Sequence, residues 1–84
     1  MKKNKLLCEV LSMCHHISNE SKADVFFDYS PHCDSYTVCL YRNGWTHETS
    51  GDMAYMNCTT KITCKNLKLT LAKLVTLAIE LEVL

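Results

Sequence analysis

Six cysteines fall into three pairs of one spacing, "CEVLSMC" (8–14), "CDSYTVC" (33–39) and "CTTKITC" (58–64), set at a constant interval along the chain. Thiols in such a pattern suggest a disulfide framework, a metal site or a nucleophile. In a helix, positions six apart lie about 9 Å apart along the axis and point to different sides. In a strand they share a face but lie about 20 Å apart. A disulfide needs Cα atoms within roughly 7 Å, so neither Cys8–Cys14 on a helix nor Cys33–Cys39 on a strand bonds internally. The copies also fall on a helix, a strand and a strand-to-helix junction. A true repeat puts the same element in every copy, so the interval is read as accidental.

A metal site would have to draw on "CHH" (14–16) and "HC" (32–33). Structural zinc ligands come as pairs two to four residues apart, and these spacings do not fit. His15 and His16 point in different directions on a helix, so the plain reading is surface histidines and core cysteines. No metal and no cofactor is expected. His32–Cys33–Asp34 collects a thiol, a base and a carboxylate, but neighbours in sequence do not have the geometry of a nucleophile and its base. A Gly-rich phosphate loop and a nucleophile elbow are both missing. A domain this small has little room for a water-excluding pocket, so the chain is not expected to be an enzyme.

Lys61, Lys65 and Lys68 are the remaining set with a possible chemistry. Double-stranded-RNA-binding domains place lysines at the start of their last helix to span phosphates across a groove. Here there is no run of adjacent lysines after a Gly-rich turn, and a solvated helix face is the plain reading. Duplex RNA binding through these three lysines is kept as the alternative function.

The elements that must position these residues are legible in outline. The 84 residues are 48% hydrophobic with two Gly and one Pro, a globular composition. Nine basic and nine acidic side chains cancel, so there is neither the cationic surplus of a non-specific nucleic-acid binder nor the anionic surplus of a DNA mimic. A single domain, 1–84, is expected. Leu7, Val10, Leu11, Cys14 and Ile17 recur at helical spacing over 4–19. "ADVFFDY" (23–29) alternates Ala23, Val25, Phe27 and Tyr29 against Asp24, Phe26 and Asp28, the period of a half-buried strand. "SYTVCLYR" (35–42) alternates Tyr36, Val38 and Leu40 against Thr37, Cys39 and Tyr41. Asn43–Gly44 predicts a type I′ turn, followed by brief pairing over 45–49, a turn at 50–52 and a last strand at 53–59.

Thr59 or Thr60 is a fair N-cap for a closing helix over roughly 61–83, with Leu67, Leu71, Leu74, Ala78 and Leu81 as its core stripe. The order is α-β-β-β-α, an α+β fold in which a three-stranded antiparallel sheet carries two helices on one face.

Two surfaces are left over. The last helix is apolar nearly all round, with Leu69, Val75, Leu77, Ile79, Val83 and Leu84 outside its stripe. Such a helix expects burial on more than one side, so Leu69, Leu77 and Val83 are read as a homodimer interface, against packing within the monomer. On the sheet, Phe26 and Tyr41 face away from the helices with Trp45 at the hairpin tip. Aromatics among carboxylates and hydroxyls resemble a protein-binding hot spot, against cross-strand pairing that only stabilises the sheet.

The N-terminal "MKKNKLLCEVLSMCHH" begins like a leader, but Glu9, His15 and His16 interrupt it and no small-residue cleavage site follows. The C-terminal apolar run is broken by Lys68, Lys73, Glu80 and Glu82, which argues against a membrane span. The cytoplasm of a host cell is the expected location, where thiols stay reduced.

The stretch "KADVFFDYSPHCDSYTVCLYRNGW" (22–45) resembles a pattern in small uncharacterised proteins of phages and prophages of low-GC Gram-positive bacteria. There a helix leads into "ADVFF-Y", a strand ends in "Y-NGW", and a closing helix follows. The resemblance covers most of the chain, carries over no catalytic or ligand residues, and does not include the cysteines. It implies a phage accessory protein of unknown biochemistry, and small phage proteins often act by binding a host or phage protein. By analogy with small anti-CRISPR inhibitors, that partner would be a host defence complex.

Overall fold

The computed structural model describes residues 2–44 and 60–84, which form α1 (Lys2–Glu20), β1 (Asp24–Ser30), β2 (Ser35–Tyr41), β3 (Thr60–Lys61) and α2 (Cys64–Glu80). The 4–3 spacing of Val10, Cys14 and Ile17 makes one stripe of α1, and all three are buried. Leu7 packs partly against the same core. Leu11, expected in that stripe, is instead 51% exposed. It sits a quarter-turn round from Val10, and Leu6 and Met13 flank the buried stripe in its place. The helix stops where Ser21 turns back on it, its amide 3.1 Å and its hydroxyl 2.7 Å from the Ile17 carbonyl. Ser18 then clasps the incoming strand: its Oγ accepts from the Val25 amide at 2.9 Å.

β1 and β2 pair antiparallel without interruption from Asp24↔Tyr41 to Ser30↔Ser35. The alternation read in β2 holds: Tyr36, Val38 and Leu40 are buried, while Thr37, Cys39 and Tyr41 are half-buried on the opposite face. Phe27 stacks on Tyr36 with centroids 5.8 Å apart. Tyr29, expected on the covered face, is largely exposed, because β1 is an edge strand of the β1-β2-β3 sheet. After β2 the Gly44 amide donates to the Tyr41 carbonyl at 3.1 Å. The turn is thus centred on Arg42–Asn43, and Asn43 does not take the positive φ that a type I′ turn at Asn43–Gly44 requires. Gly44 itself has φ +90, and a Cβ there would come within 3.2 Å of the Lys22 carbonyl oxygen.

The strand expected at 53–59 and the pairing expected at 45–49 lie outside the described residues. The described third strand is Thr60–Lys61, which pairs antiparallel with the start of β2 through Ser35↔Lys61 and Tyr36↔Thr60. The Ile62 amide extends this contact to the Asp34 carbonyl at 2.9 Å. Because the sheet claims Thr60 and Lys61, α2 begins later than expected. Its N-cap is Thr63, not Thr59 or Thr60, with the side-chain hydroxyl accepting from the Asn66 amide at 3.1 Å. At the other end the Glu82 amide reaches the Ile79 carbonyl and the Val83 amide the Ala78 carbonyl, with Glu82 at φ 59. That is a Schellman stop, made here without glycine, and it ends α2 at Glu80 instead of 83.

Leu67, Leu74, Leu77 and Ala78 of α2 meet Val10, Cys14 and Ile17 of α1 over Tyr36, Val38 and Leu40 of β2, so both helices cover one sheet face. Polar contacts fix their direction. At one end of the molecule the Tyr36 hydroxyl lies 3.1 Å from the Asn66 carbonyl oxygen, near the start of α2. At the other, Arg42 approaches Glu80 at 3.6 Å, and His16 Nε2 lies 2.6 Å from the Val83 carbonyl oxygen. The late turns of α1 therefore lie beside the late turns of α2, and both helices start at the same end. Among the described residues, no helix is long and apolar enough to cross a membrane.

Candidate functional site

The face of the β1–β2 pair turned away from the helices carries Asp24, Phe26 and Asp28 from one strand and Thr37, Cys39 and Tyr41 from the other, as strand alternation dictates. Phe26 pairs with Cys39 in register and meets Tyr41 on the diagonal, edge-on, with centroids 5.6 Å apart and planes at 78°. This geometry sets a positive ring edge against a negative ring face. Phe26 remains 44% exposed. The structure thus brings Phe26 and Tyr41 together; Trp45, expected beside them, lies outside the described residues.

Cys39 lies under this pair, and its thiol is pushed up from the ordinary range by burial first and by the negative charge of Asp28 second. Both effects oppose the thiolate, the form that attacks electrophiles or binds metal. Cys14 is held further still, its pKa raised to about 12 by burial in the core. Cys8 is exposed on α1, Cys33 is exposed in the β1–β2 turn, and Cys64 opens α2. These thiols thus occupy separate elements, and all five described cysteines are free. Cys58 lies outside the described residues. Among the described residues, no cluster of three or more His, Cys, Asp or Glu side chains is placed to hold a metal ion.

The three residues assigned to a homodimer interface do not form one surface. Leu69 is 54% exposed, but Leu77 has no exposed surface and Val83 is half-buried against the core. Leu77 is a correction with a physical reason. Thr70, a buried polar residue inside α2, bonds through its hydroxyl to that of Tyr36 at 2.6 Å. With that partner Thr70 is buried on the same side of α2 as Leu67, Leu74 and Leu77, all fully covered, and Leu71 and Leu81 are only partly covered.

Of the three lysines, Lys65 and Lys68 stand on the first turns of α2, whereas Lys61 belongs to β3 and not to the helix. All three are exposed. Sequence reasoning missed their neighbours. Lys2, Lys3 and Lys5 open α1, and because the two helices start at the same end, all six lysines gather there. Neither helix has an acidic residue in its first turn to offset its positive N-terminal dipole. The signal was present in "MKKNK" but only the parallel helices give it a place. No family model, curated protein or solved structure matches the chain.

Proposed function

We propose that the chain is a non-enzymatic binding module of phage type that docks a host or phage protein through the outer face of its sheet. The observation that supports it most is the Phe26–Tyr41 pair, edge-to-face on the sheet face turned away from the helices, with Phe26 44% exposed. Large, rigid aromatics bury much area at little entropic cost, which is why they anchor protein interfaces. Asp24, Asp28 and Thr37 around them supply a polar rim. The site of action is the cytoplasm of the host, and the partner by analogy is a defence complex. Self-association through α2 would rest on Leu69 alone of its three residues, and light scattering that gives a 9.6 kDa monomer at micromolar concentration ends it.

The test is a protection assay. A Gram-positive host with an active CRISPR system, expressing the chain, should regain sensitivity to a targeted phage. Phe26→Ser with Tyr41→Ser should remove that effect while leaving the far-ultraviolet circular dichroism unchanged. Failure of the wild-type chain to restore phage sensitivity ends the inhibitor reading, and sensitivity restored equally by the folded double variant ends the surface assignment.

A second reading, duplex RNA, is favoured by one observation: the α-β-β-β-α order with exposed Lys65 and Lys68 on the first turns of the last helix and exposed Lys61 on the strand just before it. It predicts salt-sensitive retardation of duplex RNA that weakens in Lys61→Gln/Lys65→Gln. Absence of a shift at low salt removes it.

A further inference from the structure

Between the outer sides of α1 and α2 runs a groove of about 450 Å³, walled by Met13, Leu71, Val75 and Leu84 with Glu9 and His16 on its rim. Lys2 and Lys5 stand on the same stripe of α1 as Glu9, Ser12 and His16, since positions 2, 5, 9, 12 and 16 recur at three and four. On α2, Lys68 stands one turn before Leu71 and Val75 on the facing stripe, and Lys65 one turn before Lys68. All four lysines are exposed, and among the described residues none makes an ion pair. The groove is therefore apolar along its length and cationic at the end where both helices begin, with Glu9 as the one acidic side chain on the two stripes.

We infer that this groove takes an amphipathic helix of a partner protein, with apolar anchors on one stripe and carboxylates at the end that meets Lys2, Lys5, Lys65 and Lys68. An apolar trough between two helices fits the i, i+3, i+7 anchors of a third. The charge fixes which way that helix lies. From Lys65 to Val75 the α2 side of the surface runs about 15 Å at the helical rise, lysines first and then the groove wall of Leu71 and Val75, which matches about three turns of the incoming helix. A phosphate backbone would use the lysines but has no need of Met13, Leu71 and Val75. This surface is distinct from the outer sheet face and stands or falls apart from it.

The test uses labelled synthetic helices of about 15 residues with leucines at i, i+3, i+7 and i+10, read by fluorescence anisotropy against the full chain. One carries three glutamates at one end, a second carries lysines there, and a third has the leucines scrambled. The acidic helix should bind, and at least tenfold more tightly than the other two. Lys5→Glu with Lys68→Glu, both exposed, should weaken it at least tenfold, as should Val75→Ser if its circular dichroism is unchanged. Phe26→Ser with Tyr41→Ser should leave it intact, which separates this site from the sheet face. The inference is overturned if the acidic helix does not bind, or binds no better than the lysine helix. It is also overturned if a short RNA duplex binds with the same dependence on Lys5 and Lys68 and no dependence on Val75.

Discussion

Tyr36 is the residue whose chemistry the fold uses most closely, and removing its hydroxyl measures how α2 is held to the sheet. The ring is buried and stacks on Phe27, while the hydroxyl lies 2.6 Å from Thr70 Oγ1 and 3.1 Å from the Asn66 carbonyl oxygen. Tyr36→Phe keeps the ring and deletes both bonds. Each bond contributes about 1 kcal/mol net, and a buried group left without a partner costs about 1–3 kcal/mol. Thr70 has a partial remedy, because the Asn66 carbonyl is one helical turn behind it and within reach of its own hydroxyl. The expected loss is therefore about 2 kcal/mol rather than the sum of these costs. In a domain of this size that corresponds to a fall in Tm of roughly 8–16 °C. Thr70→Val should cost a similar amount alone, and the double variant should recover about 1 kcal/mol of the summed loss, because two apolar groups leave nothing unpaired. Urea denaturation followed by circular dichroism, with an unchanged m value, reads all three. A Tyr36→Phe variant within about 0.5 kcal/mol of wild type, or strict additivity in the double variant, would refute the account of the hydroxyl pair as the tie between β2 and α2.

Leu74→Ala empties the centre of the core and should cost about 2–5 kcal/mol by the same urea assay. Glu82→Gly relieves the left-handed backbone at φ 59 and should raise stability by about 0.5–1 kcal/mol, read as a higher urea midpoint. Cys8 and Cys33 should react with a thiol reagent at pH 8 on mixing, Cys39 slowly, and Cys14 only as fast as the chain unfolds. Cys14 also predicts a pH dependence. Between its ordinary value of 9.0 and about 12 the native state keeps a proton that the unfolded chain releases. Stability from this group is thus complete below pH 9 and falls as pH rises, by at most about 1.4 kcal/mol per pH unit. Cys14→Ala should lose less stability than wild type between pH 9 and 10.5.

What the sequence made legible follows the range of the interactions involved. β2 was readable because it is covered on one face only, and Tyr36, Val38 and Leu40 report that directly. The stripe Val10, Cys14 and Ile17 was readable for the same reason. The start of α2 was not, because Thr59, Thr60 and Thr63 all offer a capping hydroxyl. The choice among them depends on Thr60 and Lys61 pairing with Ser35 and Tyr36, a contact between distant parts of the chain. Its end was missed because Glu82 takes the conformation that normally announces itself as glycine. Leu77 was misread because Thr70 looks like a surface residue: with the Tyr36 hydroxyl as its partner Thr70 can be buried, and the covered side of α2 then runs through Leu67, Thr70, Leu74 and Leu77.

The balanced charge shows the same limit from the functional side. Nine cations against nine anions exclude a chain that is basic throughout, but a sum carries no information about position. Five of those cations open two helices that start side by side and Lys61 stands beside them on β3, while Glu80, Glu82 and Glu20 stand where the helices end. Charges separated by more than a Debye length, about 8 Å at physiological salt, act on a partner independently, and helices of this length hold the two ends some 25 Å apart at 1.5 Å per residue. A partner at the lysine end therefore meets a cationic surface whatever the total. That end also opens onto the apolar groove, while Phe26 and Tyr41 lie on the opposite side of the sheet. The proposed sheet-face contact and the inferred groove contact would thus lie on opposite faces, and a variant of either surface can be read without disturbing the other.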